Sequence, residues 1–100
     1  MRRVVFTETS EAEFEAIGDH IAAHSPGRAA IFIGELRERC LELAEMPQRF
    51  AIVPQLASLG IRRRVHGNYL IFYSATEDTV EIHHVAHGSM DYERLFFPEG

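Results

Sequence analysis

Apolar side chains recur every three or four positions over two stretches of the N-terminal half, and this spacing predicts two amphipathic helices. Ser10 is the predicted N-cap of the first, with Glu13 completing a capping box, and this helix ends near His24. The second begins at Ser25-Pro26 and ends at Pro47, because proline disfavours helical geometry in the residue before it. So short a link predicts an antiparallel helical hairpin.

The other apolar runs are short, and such runs bounded by turn residues are typical of strands. One covers residues 3–7, and three more, 61–65, 69–73 and 80–87, follow an ordered loop over 48–60. Turns at 66–68 and 77–78 connect the last three as antiparallel neighbours. A short helix or turn over 90–95 and a frayed end over 96–100 close the chain, and we expect Phe96 and Phe97 in this end to be exposed.

The element order β-α-α-β-β-β predicts an α+β fold, in which an antiparallel sheet packs one face on the N-terminal helical hairpin. The other face stays open unless the closing tail or a partner covers it. One hundred residues without an internal repeat or linker indicate a single domain over 1–100.

Composition restricts the function classes. No apolar run is long enough to span a membrane, and the N-terminal apolar stretch ends at Thr7-Glu8, too early for a signal peptide, so we expect a cytoplasmic protein with no membrane contact. Cys40 is the single cysteine, which excludes an internal disulfide and a cysteine-based zinc site. Its position in the apolar stripe of the second helix predicts a buried thiol.

The net charge of −5 argues against a broad nucleic-acid surface, so any such contact needs a local patch. The run Arg62-Arg63-Arg64 is the sharpest candidate. Alternation puts Arg62 and Arg64 together, on the face we expect to be open, and Arg63 on the other. The pair could bind phosphates or acidic side chains of a partner. The alternative is a solvated, charged strand that discourages edge pairing.

Histidines supply the other candidate chemistry. His83 and His87 are predicted to share one face of the last strand with Glu81 and Val85, and His84 to lie on the other with Val80 and Ile82 as a partly buried residue. A histidine beside Arg62 and Arg64 could act as the general acid–base of a ribonuclease. For His87 we favour a structural role in the closing turn.

His20 and His24 are spaced to clip a metal, but two ligands alone make a weak site. We therefore predict neither a metal nor a cofactor.

The chain resembles ParE toxins of the RelE/ParE superfamily over almost its whole length. The order and spacing of several segments carry this resemblance. They are Phe6-Thr7-Glu8, Ser25-Pro26-Gly27-Arg28-Ala29, Leu43-Ala44-Glu45-Met46-Pro47, Arg62 to Arg64, Gly67 to Tyr73, and Ile82 to Gly88 with Asp91 three residues later.

The resemblance implies the toxin of a type II toxin–antitoxin pair. ParE-like members are associated with inhibition of DNA gyrase, and the partner would be a ParD-like antitoxin that binds operator DNA, so the toxin would meet DNA only indirectly, within a hetero-oligomer. RelE-like members cleave mRNA on the ribosome. The lysines typical of RelE-like sites are missing, which favours a non-enzymatic ParE. A third alternative is a toxin-fold protein that only binds a partner.

Two sets of residues follow for these alternatives. The nuclease alternative would use Arg62, Arg64, His87 and Tyr92. Contacts with the target or the antitoxin would use Arg62, Arg63, Arg64, His83, Asp91, Arg94, Phe96 and Phe97.

Overall fold

Two antiparallel helices, α1 (Glu8–Ala22) and α2 (Pro26–Leu41), form the predicted hairpin. The computed structural model describes residues 1–98, so the last two residues of the predicted frayed end lie outside the described part. α2 ends earlier than predicted, at Leu41, and the chain continues through 3₁₀ turns at Glu42–Ala44, Pro47–Arg49 and Pro54–Leu59.

The predicted N-cap of α1 is wrong by three residues. Thr7 has extended backbone geometry, and its Oγ1 accepts a hydrogen bond from the Ser10 N–H at 3.0 Å. Ser10 is fully buried inside the helix, where its hydroxyl donates to the Thr7 carbonyl at 2.9 Å. The reason is tertiary: Thr7 N–H donates to the carbonyl of Ile82, so the sheet fixes Thr7 where the helix must begin.

Four strands form one sheet within the described residues: β1 (Arg3–Phe6), β2 (Arg62–His66), β3 (Tyr69–Ala75) and β4 (Thr79–His87), in the order β1-β4-β3-β2. β2, β3 and β4 are antiparallel neighbours, as predicted. β1 instead pairs with β4 in parallel, so the expectation of a wholly antiparallel sheet is wrong for this pair. Parallel neighbours need a long crossover, which the helical hairpin and the strands β2 and β3 supply. The α+β fold class is confirmed.

Both faces of the sheet are covered, at least in part. The main core lies between the helices and the sheet. It contains Phe14, Ile17, Leu36, Cys40, Leu43, Ile71, Tyr73, Val80, Ile82 and Val85. A second cluster covers the opposite face, where the 3₁₀ turn Pro54–Leu59 and a short helix α3 (Glu93–Phe96) pack. It contains Val53, Leu56, Ile61, Phe72 and Ala86, with Leu70, Tyr92, Leu95 and Phe96 at its rim.

A β-bulge interrupts β4 at His83. Phe72 pairs with His84 and Tyr73 pairs with Ile82, which leaves His83 without an opposite residue. Ile82 and Val85 therefore both reach the main core, although simple alternation places them on opposite faces. The predicted face-sharing of the β4 histidines is wrong for this reason.

The buried thiol is confirmed. Cys40 is fully buried, and burial raises the pKa of its thiol to about 12, so the side chain is a small core hydrophobe. Within residues 1–98, no helix combines the length and the apolar character that crossing a membrane requires.

Candidate interaction site

Arg62 and Arg64 point toward the helices, and the expectation that they lie on an open face is wrong. They pair with Tyr73 and Ile71, both of the main core, so their side chains share the helix-facing side. Arg62 Nη1 donates to the Phe50 carbonyl at 2.7 Å. Both guanidinium groups are already engaged within the chain.

Arg64 is the more deeply held of the two, with only 16% of its side chain exposed. Its Nη1 donates to the carbonyl of Arg39 at 2.9 Å and lies 3.0 Å from a carboxylate oxygen of Glu42. Its guanidinium also lies over the ring of Phe50, 4.8 Å from the centroid. Arg64 thus ties the end of α2 to the sheet.

Arg63 is the arginine that faces outward. It pairs with Phe72 and shares the opposite sheet face with Val65, which is 60% exposed. Within residues 1–98, its side chain makes no hydrogen bond or ion pair. Its backbone N–H donates to the carbonyl of Ala51 at 3.3 Å, so the segment that precedes β2 covers the first part of this edge strand.

The C-terminal candidates lie on or beside α3, which packs on the same side of the sheet. Phe96 is half-buried, with its ring 5.6 Å from Phe72 and 4.8 Å from His84, so the expectation that it is exposed is wrong. Phe97 is 42% exposed. Asp91 and Arg94 are also exposed, and their 3.8 Å ion pair contributes little. We call the exposed residues Arg63, Val65, Arg94 and Phe97 the outer face.

The β-bulge in β4, rather than the simple alternation of side chains along the strand, determines where the His83 side chain lies. Its Nε2 lies 2.7 Å from the Ser74 hydroxyl and 3.5 Å from a carboxylate oxygen of Glu81. Burial lowers the pKa of His83, and His84 lowers it further, against the opposing effect of Glu81. The imidazole is therefore favoured in its neutral form in the folded protein.

This shift predicts acid sensitivity. The pKa of His83 is lower in the folded chain than its value of about 6.5 in the unfolded chain. The neutral histidine therefore contributes fully to the stability of the fold above pH 6.5, and this contribution is lost as the pH falls through the pKa of the folded state. We expect the free energy of unfolding to decline below pH 6.5, and His83→Gln to make the decline shallower. Urea titrations from pH 5 to 8 measure both slopes, and equal slopes would contradict the prediction.

Glu13 has a role that the sequence did not suggest. β1 ends opposite Ile82, so beyond that point the edge of β4 away from β3 has no strand beside it among residues 1–98. Glu13 of α1 fills this gap: Oε1 accepts from Val85 N–H at 2.9 Å, and Oε2 lies 3.0 Å from Nδ1 of His84. His84 is partly buried, as expected. No local motif could have identified this contact, because 72 residues separate Glu13 from Val85.

The four residues of the nuclease alternative do not converge. β2 and β4 are separated by β3, and the registers place His87 two residues beyond the position opposite Arg64, roughly 12 Å away by strand spacing. Tyr92 packs on the other sheet face, 5.1 Å from Phe72. His87 Nδ1 accepts the Ser89 N–H at 3.1 Å, in the closing turn. A general acid–base residue must lie within hydrogen-bond reach of the same substrate that the arginines bind. The positions of His87 and Tyr92 relative to Arg62 and Arg64 do not provide this.

The metal alternative gains no support. The imidazole centroids of His20 and His24 are 6.1 Å apart, and no third ligand joins them in a group suited to a metal within the described part of the chain.

Comparisons with known proteins agree with this architecture. A family model described as "ParE toxin of type II toxin-antitoxin system, parDE" matches residues 4–92. Among solved structures, the "Chromosomal ParDE TA system from P. aeruginosa" aligns with a TM-score of 0.72 at 17% identity, over 87% of this chain and 96% of that one. At this identity, the match shows a shared fold. No curated protein sequence matches the chain.

Proposed function

The chain belongs to the ParE toxin family of type II toxin–antitoxin systems, and from this premise we propose that it inhibits DNA gyrase and is neutralised by a ParD-like antitoxin. The observation that carries the proposal is the family match over residues 4–92, since gyrase inhibition is the role associated with ParE. The toxin would then act in the cytoplasm, where gyrase works.

The distribution of the candidate catalytic groups supports a binding mechanism. Arg62 and Arg64 donate hydrogen bonds to backbone carbonyls of the chain. His87 and Tyr92 lie apart from them, with Tyr92 on the other face of the sheet. A protein that blocks its target by binding needs no converging acid, base and phosphate-binding groups. It needs an exposed surface with complementary shape and charge.

The outer face offers such a surface. Arg63, whose side chain has no hydrogen bond or ion pair within residues 1–98, lies beside Val65, which is 60% exposed. The 42%-exposed Phe97 directly follows α3, which packs on the same side of the sheet through Phe96. Arginine and aromatic side chains are the residues that most often dominate interface energies. We propose that this face contacts gyrase or the antitoxin through apolar and acidic groups of the partner.

The partner assignments follow from the same premise. The toxin is acidic, with a net charge of −5, so direct attraction to the phosphates of DNA is disfavoured. Contact with operator DNA would come through the antitoxin, in a hetero-oligomer. The match to a ParDE structure supports an antitoxin partner of this kind.

A supercoiling assay tests the proposal. Wild-type toxin at saturating concentration should block supercoiling of relaxed plasmid by purified gyrase, and the cognate antitoxin should restore it. Arg63→Glu reverses an exposed charge at the outer face, and we expect it to need an at least tenfold higher concentration, a change of about 1.4 kcal/mol. Normal supercoiling with saturating wild-type toxin would contradict gyrase as the target.

The matched control is Arg3→Glu, which makes the same charge change at an exposed position at the start of β1. It should inhibit like wild type. If Arg63→Glu also inhibits like wild type, the outer face is not the gyrase contact, even where gyrase is the target. Thermal melting of both variants separates lost binding from lost folding.

A further inference from the structure

A cavity of about 420 Å³ lies where α1 ends, α2 begins and the turn between β2 and β3 closes. Its volume is within the range of sites for small ligands. The polar groups that line it include three imidazoles and a guanidinium. They are His20, His24, His87 and Arg28, and the amide of Asn68 lies among them.

The charge of this cavity differs from that of its neighbours. The groove between α1 and α2 is lined by three carboxylates (Glu11, Glu15 and Asp19) and one cation, Arg37. An adjoining cavity, which shares His20 and His87, contains Glu13. Among residues 1–98, none that lines the cavity at Arg28 carries a carboxylate, although the chain has 15 acidic residues and a net charge of −5. A cavity lined by a cation and imidazoles, without a carboxylate, favours an anionic ligand.

Its walls are also aromatic. The rings of Phe32 and Tyr69 are 5.5 Å apart, and the imidazole of His87 lies 5.3 Å from Tyr69 at a steep angle. Unstacked nucleobases bind on phenylalanine, tyrosine and histidine rings of this kind. A ligand that combines a planar ring with an anionic group would use both the walls and Arg28.

The backbone around the cavity is held in place. Gly67 adopts a left-handed φ of +59° in the tight turn, a conformation that favours glycine. The carbonyl of Asn68 accepts the Gly88 N–H at 2.7 Å, which joins this turn to the end of β4. The backbone of Asn68 and Tyr69 is thereby fixed on one wall, and a preorganised wall reduces the ordering cost of binding.

We propose that this cavity binds a nucleoside monophosphate group, with the base against the Phe32–Tyr69 wall and the phosphate toward Arg28. The group could belong to a free nucleotide or to an unstacked nucleotide of a single strand. This inference does not depend on gyrase inhibition, because the cavity contains none of the outer-face residues.

Titration of the purified toxin, followed by amide chemical shifts at low salt, tests the proposal. AMP should shift residues around the cavity in a saturable way, whereas inorganic phosphate and adenosine should each bind at least tenfold more weakly. A dT octamer that binds more tightly than AMP would assign the site to a single strand, and equal affinity per nucleotide would assign it to the free nucleotide. Absence of saturable binding by both would overturn the proposal.

Two variants test whether AMP binds in this cavity. Arg28→Gln should weaken AMP binding about tenfold without a change in melting temperature, since Arg28 is exposed. Arg63→Gln at the outer face should bind AMP like wild type. Equal losses in the two variants, or no loss in Arg28→Gln, would overturn the assignment to this cavity, whatever the result of the supercoiling assay.

Discussion

Replacing Phe72 by alanine is expected to lower the free energy of unfolding by about 3 to 5 kcal/mol. The side chain is fully buried, and it is the ring on which the second cluster is assembled. Tyr92 and Phe96 pack on it at centroid distances of 5.1 and 5.6 Å. Its loss leaves a cavity and also removes one of the ring contacts that hold α3 on the sheet.

Thermal and urea denaturation measure this effect. For a chain of 100 residues, the expected loss corresponds to a fall in melting temperature of roughly 12 °C or more. Hydrogen exchange of the amides in Glu93–Phe96 should accelerate in the same variant. Phe97→Ala, at a 42%-exposed position, is the control and should change stability by less than about 1 kcal/mol.

If the alanine variant does not fold, Phe72→Leu gives a second measurement, because the smaller volume change should cost less. A loss below about 1 kcal/mol in Phe72→Ala would contradict the role given to this ring.

Local patterns were sufficient for the elements but not for all of their pairings. The three-and-four spacing predicted α1 and α2, and short apolar runs predicted the strands, since both reflect burial of one face. The parallel pairing of β1 with β4 brings Phe6 opposite Ile82, and nothing in either short run specifies that partner. The bulge at His83 likewise leaves no mark in the sequence, yet it changes which side chains face the core.

The candidate site shows a further limit. Alternation correctly grouped Arg62 with Arg64 and separated Arg63, but it does not say which face meets the helices. Charge suggested that the pair faces solvent. In the fold, Arg64 instead lies beneath α2, because its guanidinium can bond to the Arg39 carbonyl and to Glu42 at the edge of the core.

The cavity at Arg28 could not be predicted from the sequence, because residues from distant parts of the chain line it. His20, His24 and His87 reach one cavity only because the end of α1 lies beside the end of β4. Helical spacing paired His20 with His24, but nothing in the sequence grouped His87 with them.

A comparison of Arg64 with Arg63 tests the finding that Arg64 packs beneath α2 whereas Arg63 faces outward. Arg64→Ala is expected to lower the free energy of unfolding by about 2 to 3 kcal/mol, because it removes a charge-assisted hydrogen bond to Arg39 O and the contact with Phe50. The ion pair with Glu42 adds less, since half of the Glu42 side chain is exposed to solvent. Urea denaturation at neutral pH measures the loss.

Arg63→Ala removes the same charge one residue away and is therefore the matched control. Its side chain extends into solvent, so we expect a change within about 0.5 kcal/mol. Arg64→Lys should recover only part of the loss, because an ammonium group cannot reproduce the planar contact with Phe50 while bonding to the carbonyl. Equal stability of the two alanine variants would mean that Arg64 is not anchored beneath α2, and would return it to the surface available to a partner.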